Sequence, residues 1–147
     1  MPIKSFRAEI ADNEIQTINL HTNNGSIGYR IKKLQGLPRD PFQADGEHVI
    51  KIFKIPQTTA DDTIDFSDNT LLAALTFNNA STSSVNYSEQ VVIFDNEIFN
   101  QDIFVTHVDA RSSQIGNYYI ELEQIKLDLN ENTVATLKDI RNIKSNE

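Results

Sequence analysis

The chain contains no cysteine, and this absence excludes several kinds of chemistry at once. Disulfide bonds, thiolate zinc sites and cysteine nucleophiles all need a thiol. Small extracellular proteins often rely on disulfides, so the absence also favours a cytoplasmic origin. Residues 1–7 lack the apolar stretch and cleavage site of a signal peptide, and no apolar run approaches the roughly 18 residues of a membrane-spanning helix. We therefore expect a protein that is made and assembled in a cytosol.

The sequence motifs of common enzyme classes are also missing. There is no Gly-x-Ser-x-Gly nucleophile elbow and no glycine-rich loop that could cradle a phosphate. The three histidines, His21, His48 and His107, fall in different predicted elements without the spacing of metal ligands, so we expect structural or surface roles for them. These absences favour a protein that is not an enzyme and that uses no cofactor.

The composition is acidic and only moderately apolar. A length of 147 residues suits one domain, residues 1–147, with its own hydrophobic core. The apolar fraction of 39% and the many Asn, Ser and Thr residues favour a thin, loop-rich β domain. The net charge of −8 repels phosphate groups, so we expect neither nucleic acids nor membranes among the partners.

The clearest structural signal is the alternation of apolar and charged side chains over residues 118–129. Ile120 and Leu122 alternate with Glu121 and Glu123, which predicts a β-strand with one apolar face and one charged face. The alternation shifts after Leu122, which predicts a bulge or twist between residues 122 and 125.

Similar runs bounded by turn residues predict further strands. They cover residues 49–55, 91–94 and 103–108, and residues 63–66 are a weaker candidate. Residues 71–77 fit either a buried strand or two helical turns, and the neighbouring strands favour the strand.

Turn signals divide these runs. Residues 23–26, Asn-Asn-Gly-Ser, separate two β-prone runs, so residues 15–34 are predicted to form a β-hairpin. Residues 36–46 and 109–117 are predicted connections, and the Asn-, Ser- and Thr-rich residues 78–88 are a candidate mobile loop. About eight strands at this spacing predict an antiparallel β-sandwich of jelly-roll type, or a related barrel.

The C-terminal residues 131–147 have a different pattern. Val134, Leu137 and Ile140 recur every three residues, and Arg141 lies with other cations toward the end, where they suit the helix dipole. The pattern predicts a short C-terminal helix or arm. It packs either on its own sandwich or on a neighbouring subunit.

Two acidic clusters are candidates for cation binding because calcium takes six to eight oxygen ligands. The first contains four aspartates within eight residues: Asp61, Asp62, Asp65 and Asp68. The second, residues 128–132, matches the opening of a calcium loop, but Thr133 replaces the required glycine and Asp139 replaces the final glutamate. We therefore expect solvated turns and a helix N-cap here, and no bound metal.

Two further groups of side chains could carry function. Glu121 and Glu123 are of the type that acts in acid–base catalysis, but they lie opposite an apolar face, so we expect a solvated strand face. The four tyrosines could form a sugar-binding platform, although we expect most of them to pack in the sandwich or an interface: Tyr29, Tyr87, Tyr118 and Tyr119.

Several segments resemble small virion structural proteins of marine tailed phages, cyanophages in particular. The resemblance extends over most of the chain, and the segments that carry it are residues 1–7, 21–31, 92–96, 99–103, 120–131 and 133–141. The resemblance implies a component of the phage particle without enzymatic activity, found in the virion after assembly in the host cytoplasm. It supplies no catalytic residues.

These expectations lead to a capsid decoration or cement protein that binds the major capsid protein, or other virion proteins, and itself as a homo-oligomer. The candidate partner-binding residues are Val134, Leu137, Ile140, Arg141 and Tyr87. Two alternatives stay open. The chain is either a tail or adaptor component, or a carbohydrate-binding β-sandwich module that uses exposed aromatic residues and calcium at residues 61–68.

Overall fold

The computed structural model describes residues 2–43, 46–79 and 90–128. Within these ranges the chain forms eight β-strands and no helix. The strands are β1 (Ile3–Ile10), β2 (Ile15–Ile18), β3 (Ile27–Pro38), β4 (Glu47–Phe53), β5 (Leu71–Asn78), β6 (Val91–Phe94), β7 (Ile103–Asp109) and β8 (Gly116–Lys126).

The strands form two antiparallel sheets. One sheet has the order β1-β8-β3, and the other has the order β2-β7-β4-β5-β6. Each strand pairs antiparallel with its neighbours in the sheet. The predicted all-β, antiparallel architecture is therefore confirmed.

A single hydrophobic core joins the two sheets. Ile120 and Leu122 of β8 are fully buried, and so are Ile50 and Ile52 of β4 in the other sheet. All four belong to one cluster of buried side chains. Burying such a side chain is worth roughly 1.5–3 kcal/mol, so the alternation of apolar residues drives the two sheets together in a sandwich-like arrangement.

The predicted strands at residues 49–55, 71–77, 91–94 and 103–108 are confirmed as β4 to β7. Residues 118–129 are also largely confirmed, since β8 runs from Gly116 to Lys126. One strand prediction is wrong, because residues 63–66 form no strand, and strand β1 was not predicted from the sequence.

The predicted hairpin at residues 15–34 is wrong. Strand β2 pairs with β7, and β3 pairs with β8 in the opposite sheet. The turn itself exists, since Gly25 has a positive φ of 66°. The chain that leaves β2 is fixed next to β7, because the backbone N–H of the buried Leu20 donates a hydrogen bond of 2.7 Å to Asp102 Oδ1.

The irregularity predicted in β8 lies instead in its partner β3. The register shifts between Ile31 and Lys33, opposite Leu122 and Glu121, so Lys32 is the extra residue. The loop predicted for residues 36–46 also begins too early, because β3 continues to Pro38.

The connection from β4 to β5 folds back over its own sheet. Lys51 lies between the core residues Ile50 and Ile52 and therefore points away from the core. Its side chain is nevertheless only 6% exposed. Lys51 Nζ donates hydrogen bonds of 2.6 Å to Asp61 Oδ1 and to the Thr63 carbonyl, which fixes this connection against the sheet.

None of the described residues belongs to a helix of sufficient length and apolarity to cross a membrane. The predicted C-terminal helix or arm, residues 131–147, lies outside the described residues. So do most of the predicted mobile loop and all five candidate partner-binding residues: Tyr87, Val134, Leu137, Ile140 and Arg141.

Candidate interaction surface

Strand β6 exposes apolar side chains at the edge of the five-stranded sheet. Val92 packs against the core, as alternation requires. Its neighbours Val91 and Ile93 point the other way and are 52% and 49% exposed. Exposed apolar side chains that lie next to one another make this edge a candidate interaction surface.

A cleft adjoins this strand, and we call it the β6 cleft. It has a volume of about 240 Å³, and its lining comes from the turn before β5, from β5 and from the end of β6: Phe66, Asp68, Asn69, Leu71, Leu72, Ala73, Ala74, Ile93, Phe94 and Asp95. Phe66 is 68% exposed. Sites for drug-sized ligands usually measure about 300–1,000 Å³, so this cleft suits an aliphatic side chain better than a whole small molecule.

The rim of the β6 cleft is acidic and well ordered by short-range hydrogen bonds. Asp68 Oδ1 accepts bonds from the backbone N–H and the hydroxyl of Thr70 at 2.9 and 2.6 Å. The Asp95 N–H donates to the Leu72 carbonyl at 2.9 Å. The lining of the cleft therefore combines two carboxylates with apolar side chains.

The first predicted cation cluster lies next to this rim. Asp61 is engaged by Lys51, and that bond holds the pKa of Asp61 below its usual value. The pKa of Asp65 is lowered too, because the Ser67 hydroxyl and N–H both donate to its carboxylate. Among the described residues, no group of three or more His, Asp or Glu side chains is placed to hold a metal ion.

A second open surface lies on the three-stranded sheet. It is a groove of about 800 Å³, and the residues that line it include Arg7, Lys33, Gln35, Asn117 and Tyr119. The Tyr119 hydroxyl donates to Glu121 Oε2 at 2.6 Å, and this bond to a carboxylate raises the pKa of Tyr119. Its ring lies 6.0 Å from Lys33 Nζ.

The structure does not bring the predicted tyrosine platform together. Tyr29 is buried against Phe99, with 6.4 Å between ring centroids. Tyr118 is also buried, and its hydroxyl donates to Gln16 Oε1 at 2.8 Å. Burial raises the pKa of Tyr118 to about 12. Tyr118 and Tyr119 both line the groove, and Tyr119 is the one of the three described tyrosines that is partly exposed.

The solvated strand face predicted for the Glu121 and Glu123 pair is wrong for Glu123. This residue is buried, and its carboxylate accepts a hydrogen bond of 2.6 Å from Arg30. Lys32 Nζ lies 3.7 Å from the same carboxylate. The bulge at Lys32 brings two cations of β3 to one carboxylate of β8, which no alternation in either strand could indicate.

Two of the three histidines meet in the interior. His48 of β4 and His107 of β7 are 1% and 0% exposed, and His48 Nδ1 lies 2.8 Å from His107 Nε2. His48 also stacks on Phe77, with ring centroids 4.6 Å apart. His21 is remote from this pair and contacts Asp102 on the exposed surface, with 2.7 Å between Nδ1 and Oδ1.

Hydrogen-bond partners fix the protons of the pair. His107 Nδ1 lies 3.0 Å from the Ala11 carbonyl, which can only accept, so Nδ1 carries the proton and Nε2 accepts from His48 Nδ1. His48 Nε2 lies 2.8 Å from Asn79 Oδ1, which accepts a bond only if His48 gains a second proton. Burial opposes that proton more strongly than Asn79 favours it, so the pKa of His48 lies below its usual value.

This polar cluster ties several connections together at one end of the sandwich. Asn79 Nδ2 donates to the Asp40 carbonyl at 3.0 Å and also to the Gln114 side chain. Asp109, at the end of β7, accepts backbone N–H bonds from the turn that follows, including that of Gln114 at 2.9 Å. The rings of both histidines are almost fully buried, so we interpret this hydrogen-bonded cluster as a structural element that stabilises the fold.

No protein-family model matches the chain, and a search of the curated proteins found no significantly similar sequence.

Proposed function

We propose that this protein is a non-enzymatic structural component of a phage virion. In its most specific form, it is a capsid decoration or cement protein that binds the major capsid protein and copies of itself. The observation that carries the proposal is the β6 cleft, which the exposed Ile93 and Phe66 line, on a strand that also exposes Val91. The resemblance of the sequence to phage virion proteins supplies the biological setting.

A structural role suits a surface of this size. A cleft that takes one or two aliphatic side chains gives weak binding by itself. A shell offers many equivalent sites, and effective concentration multiplies weak contacts into large avidity without any new contact. Exposed side chains outside the cleft, such as Phe42 and Leu37, offer further area for the same purpose.

We also propose that the sandwich is a jelly roll. In that winding an eight-stranded hairpin is rolled up, so that the first strand lies beside the eighth and the second beside the seventh. Strands β1 and β8, β2 and β7, and β4 and β5 pair in this manner. For β3 and β6, support comes from a hydrogen bond of 2.6 Å from Gln90 Nε2 to the Gly36 carbonyl and from the bridge between Tyr29 and Phe99.

The direct test is cryo-electron microscopy of the phage particle that carries this protein. We expect density for the sandwich at repeated positions on the shell. Density confined to the tail vertex would move the protein to the tail or adaptor class. A particle without it would contradict a virion role.

Variants of the β6 cleft test whether this surface attaches the protein to the particle. Phe66→Ser together with Ile93→Ser should release the protein from particles, because both side chains lose apolar contact area. Ile3→Ser is the matched control, since Ile3 is 51% exposed on a different sheet. Equal release by the control and by the double variant would contradict the assignment of this surface.

The C-terminal segment supplies a second expected outcome. Deletion of residues 131–147 should weaken attachment to the particle and leave the circular dichroism spectrum and thermal transition of the sandwich in place. Full attachment of the truncated protein, or its unfolding, would contradict a role for this segment as a binding arm.

The groove around Tyr119 favours one second candidate, a carbohydrate-binding module. An accessible aromatic ring flanked by Lys33, Gln35 and Asn117 combines an apolar face with hydrogen-bonding side chains. A glycan array, read with and without a chelator, tests it. Binding that Tyr119→Ala abolishes would support this candidate, and an array without signal would remove it.

A further inference from the structure

The C-terminal segment carries a repeated chemical pattern. Residues 137–144 read Leu-Lys-Asp-Ile-Arg-Asn-Ile-Lys, so each of three aliphatic residues is followed directly by a cation. The segment holds three cations and one carboxylate within a chain whose net charge is −8. It is therefore locally basic in an acidic protein, and it is apolar at a spacing of three residues.

The β6 cleft has the complementary chemistry. Its lining includes the apolar Leu71, Ala74 and Ile93 together with the carboxylates Asp68 and Asp95. An aliphatic side chain in the cleft would place the cation that follows it in sequence close to a carboxylate of the rim. The charge pairing adds specificity and a faster encounter to an apolar contact.

We propose that the β6 cleft of one copy receives residues 137–144 of a neighbouring copy, with an aliphatic side chain in the cleft and the adjacent cations against Asp68 and Asp95. The inference rests on the self-association in the proposed function and names the two surfaces that meet. Residues 137–144 and the β6 cleft are different surfaces of the chain, so the contact between two copies is heterologous and repeats from copy to copy. Such a contact generates rings or extended arrays, which suit a shell.

The length of chain is sufficient for this contact. The described chain ends at Asp128, and Leu127 lies beside Ile98, since a side chain at Gly28 would meet both. Residues 129–136 lead from there to Leu137, and eight residues span at most about 26–29 Å. This reach is close to twice the radius of gyration of a domain of this size, which is about 15 Å, so an abutting copy is within range.

Absence of cysteine makes a disulfide experiment clean, because any introduced thiol is unique. Full-length Ile93→Cys and full-length Ile140→Cys are purified separately, mixed and oxidised mildly. We expect a disulfide-linked heterodimer on a non-reducing gel, with the 93–140 peptide identified by mass spectrometry. The matched control mixes Ile140→Cys with Ile3→Cys, because Ile3 and Ile93 are 51% and 49% exposed on different sheets.

Several results would overturn the proposal. If the control mixture cross-links as fast as the test mixture, the disulfide reports random collision. If the mixture stays uncross-linked while the double variant Ile93→Cys/Ile140→Cys closes a disulfide within one chain, the occupant is the segment of the same copy. If neither forms, nothing of this segment enters the cleft.

Charge reversal tests the rim independently of any cross-link. Asp95→Lys in the Ile93→Cys protein should lower the initial rate of heterodimer formation about tenfold, since like charges would then meet. Arg141→Glu in the Ile140→Cys partner should restore most of that rate. An unchanged rate for Asp95→Lys, or no recovery with Arg141→Glu, would overturn the assigned charge pairing.

This experiment is read in solution and does not depend on the phage particle. Cross-linking in a protein that is absent from particles would support the contact and contradict the virion role. Density on the shell without cross-linking would contradict this contact alone.

Discussion

Replacement of His107 by alanine tests how one end of the sandwich is held together. The His107 ring is fully buried and lies between the His48 ring at 2.8 Å and the Ala11 carbonyl at 3.0 Å. Its removal leaves the buried His48 Nδ1–H without this partner, whereas the Ala11 carbonyl keeps the hydrogen bond of 3.1 Å from the Glu14 N–H. The free energy of unfolding should fall because of the unpaired donor and because of the cavity left by the ring.

The magnitude follows from one unpaired donor and from the lost ring. Leaving the buried His48 Nδ1–H unpaired costs about 1–3 kcal/mol. Truncating the ring adds a cavity, and partial relaxation of the surrounding side chains removes some of the loss. We expect a net loss of about 3 kcal/mol, a large part of the roughly 5–15 kcal/mol that stabilises a typical domain.

Urea unfolding, followed by circular dichroism, measures this difference. Thr106→Val is the control, because Thr106 is the next residue of β7, is equally buried, and its hydroxyl has no hydrogen-bond partner in the described part of the chain. Removing an unpaired buried hydroxyl should leave stability unchanged or raise it by about 1 kcal/mol. A loss below about 1 kcal/mol for His107→Ala, or equal losses for both variants, would refute the structural role of the pair.

Three further outcomes are expected. Burial lowers the pKa of His48, so the folded protein binds a proton at this ring less readily than the unfolded chain does. The contribution of His48 to stability is therefore complete above the ordinary pKa of 6.5 and is lost as the pH falls below it. The melting temperature should fall as the pH decreases from 7.5 through 6.5, and it should fall less in His48→Gln. The Lys54 side chain is 2% exposed, and its Nζ lies 2.9 Å from Glu97 Oε1. Glu97→Gln leaves this buried cation without its counter-charge and should lower the free energy of unfolding by about 3 kcal/mol, whereas Lys54→Met should lower it by less. Urea unfolding of the two variants checks this order. A side chain at Gly36 would overlap the Phe77 ring, so Gly36→Ala should lower stability by about 1–3 kcal/mol in calorimetry, and an unchanged melting temperature would contradict the close packing of β3 on β5.

Local sequence was sufficient to identify most of the strands. In β8 the apolar face is built by Ile120 and Leu122 at a spacing of two, which is the repeat of a strand and of no helix. Residues 71–77 have no such alternation, and they are buried on both faces, which explains their helix-like appearance. The strand was predicted correctly from the strands on both sides of it, because a single helix would not fit inside a continuous sheet.

The pairing of strands could not be predicted in the same manner. A turn such as the one at Gly25 reverses the chain, but it does not decide whether the next strand joins the same sheet or the facing one. The contact between His48 and His107 depends on which strands pair. It exists because Ile50 of β4 pairs with His107 of β7, which brings His48 diagonally next to that ring. No spacing along the chain encodes it.

The β6 cleft has the same origin. Ile52 and Ile93 are the same residue type in similar apolar runs, yet Ile52 is fully buried in a central strand and Ile93 is half exposed on the last strand of the sheet. Phe66 reaches the cleft from a connection whose position is set by the Lys51 contact with Asp61. Residue type gives every one of these side chains the same tendency to leave water. Strand order decides which of them the described part of the chain buries, and Ile93 and Phe66 are among those that it leaves exposed.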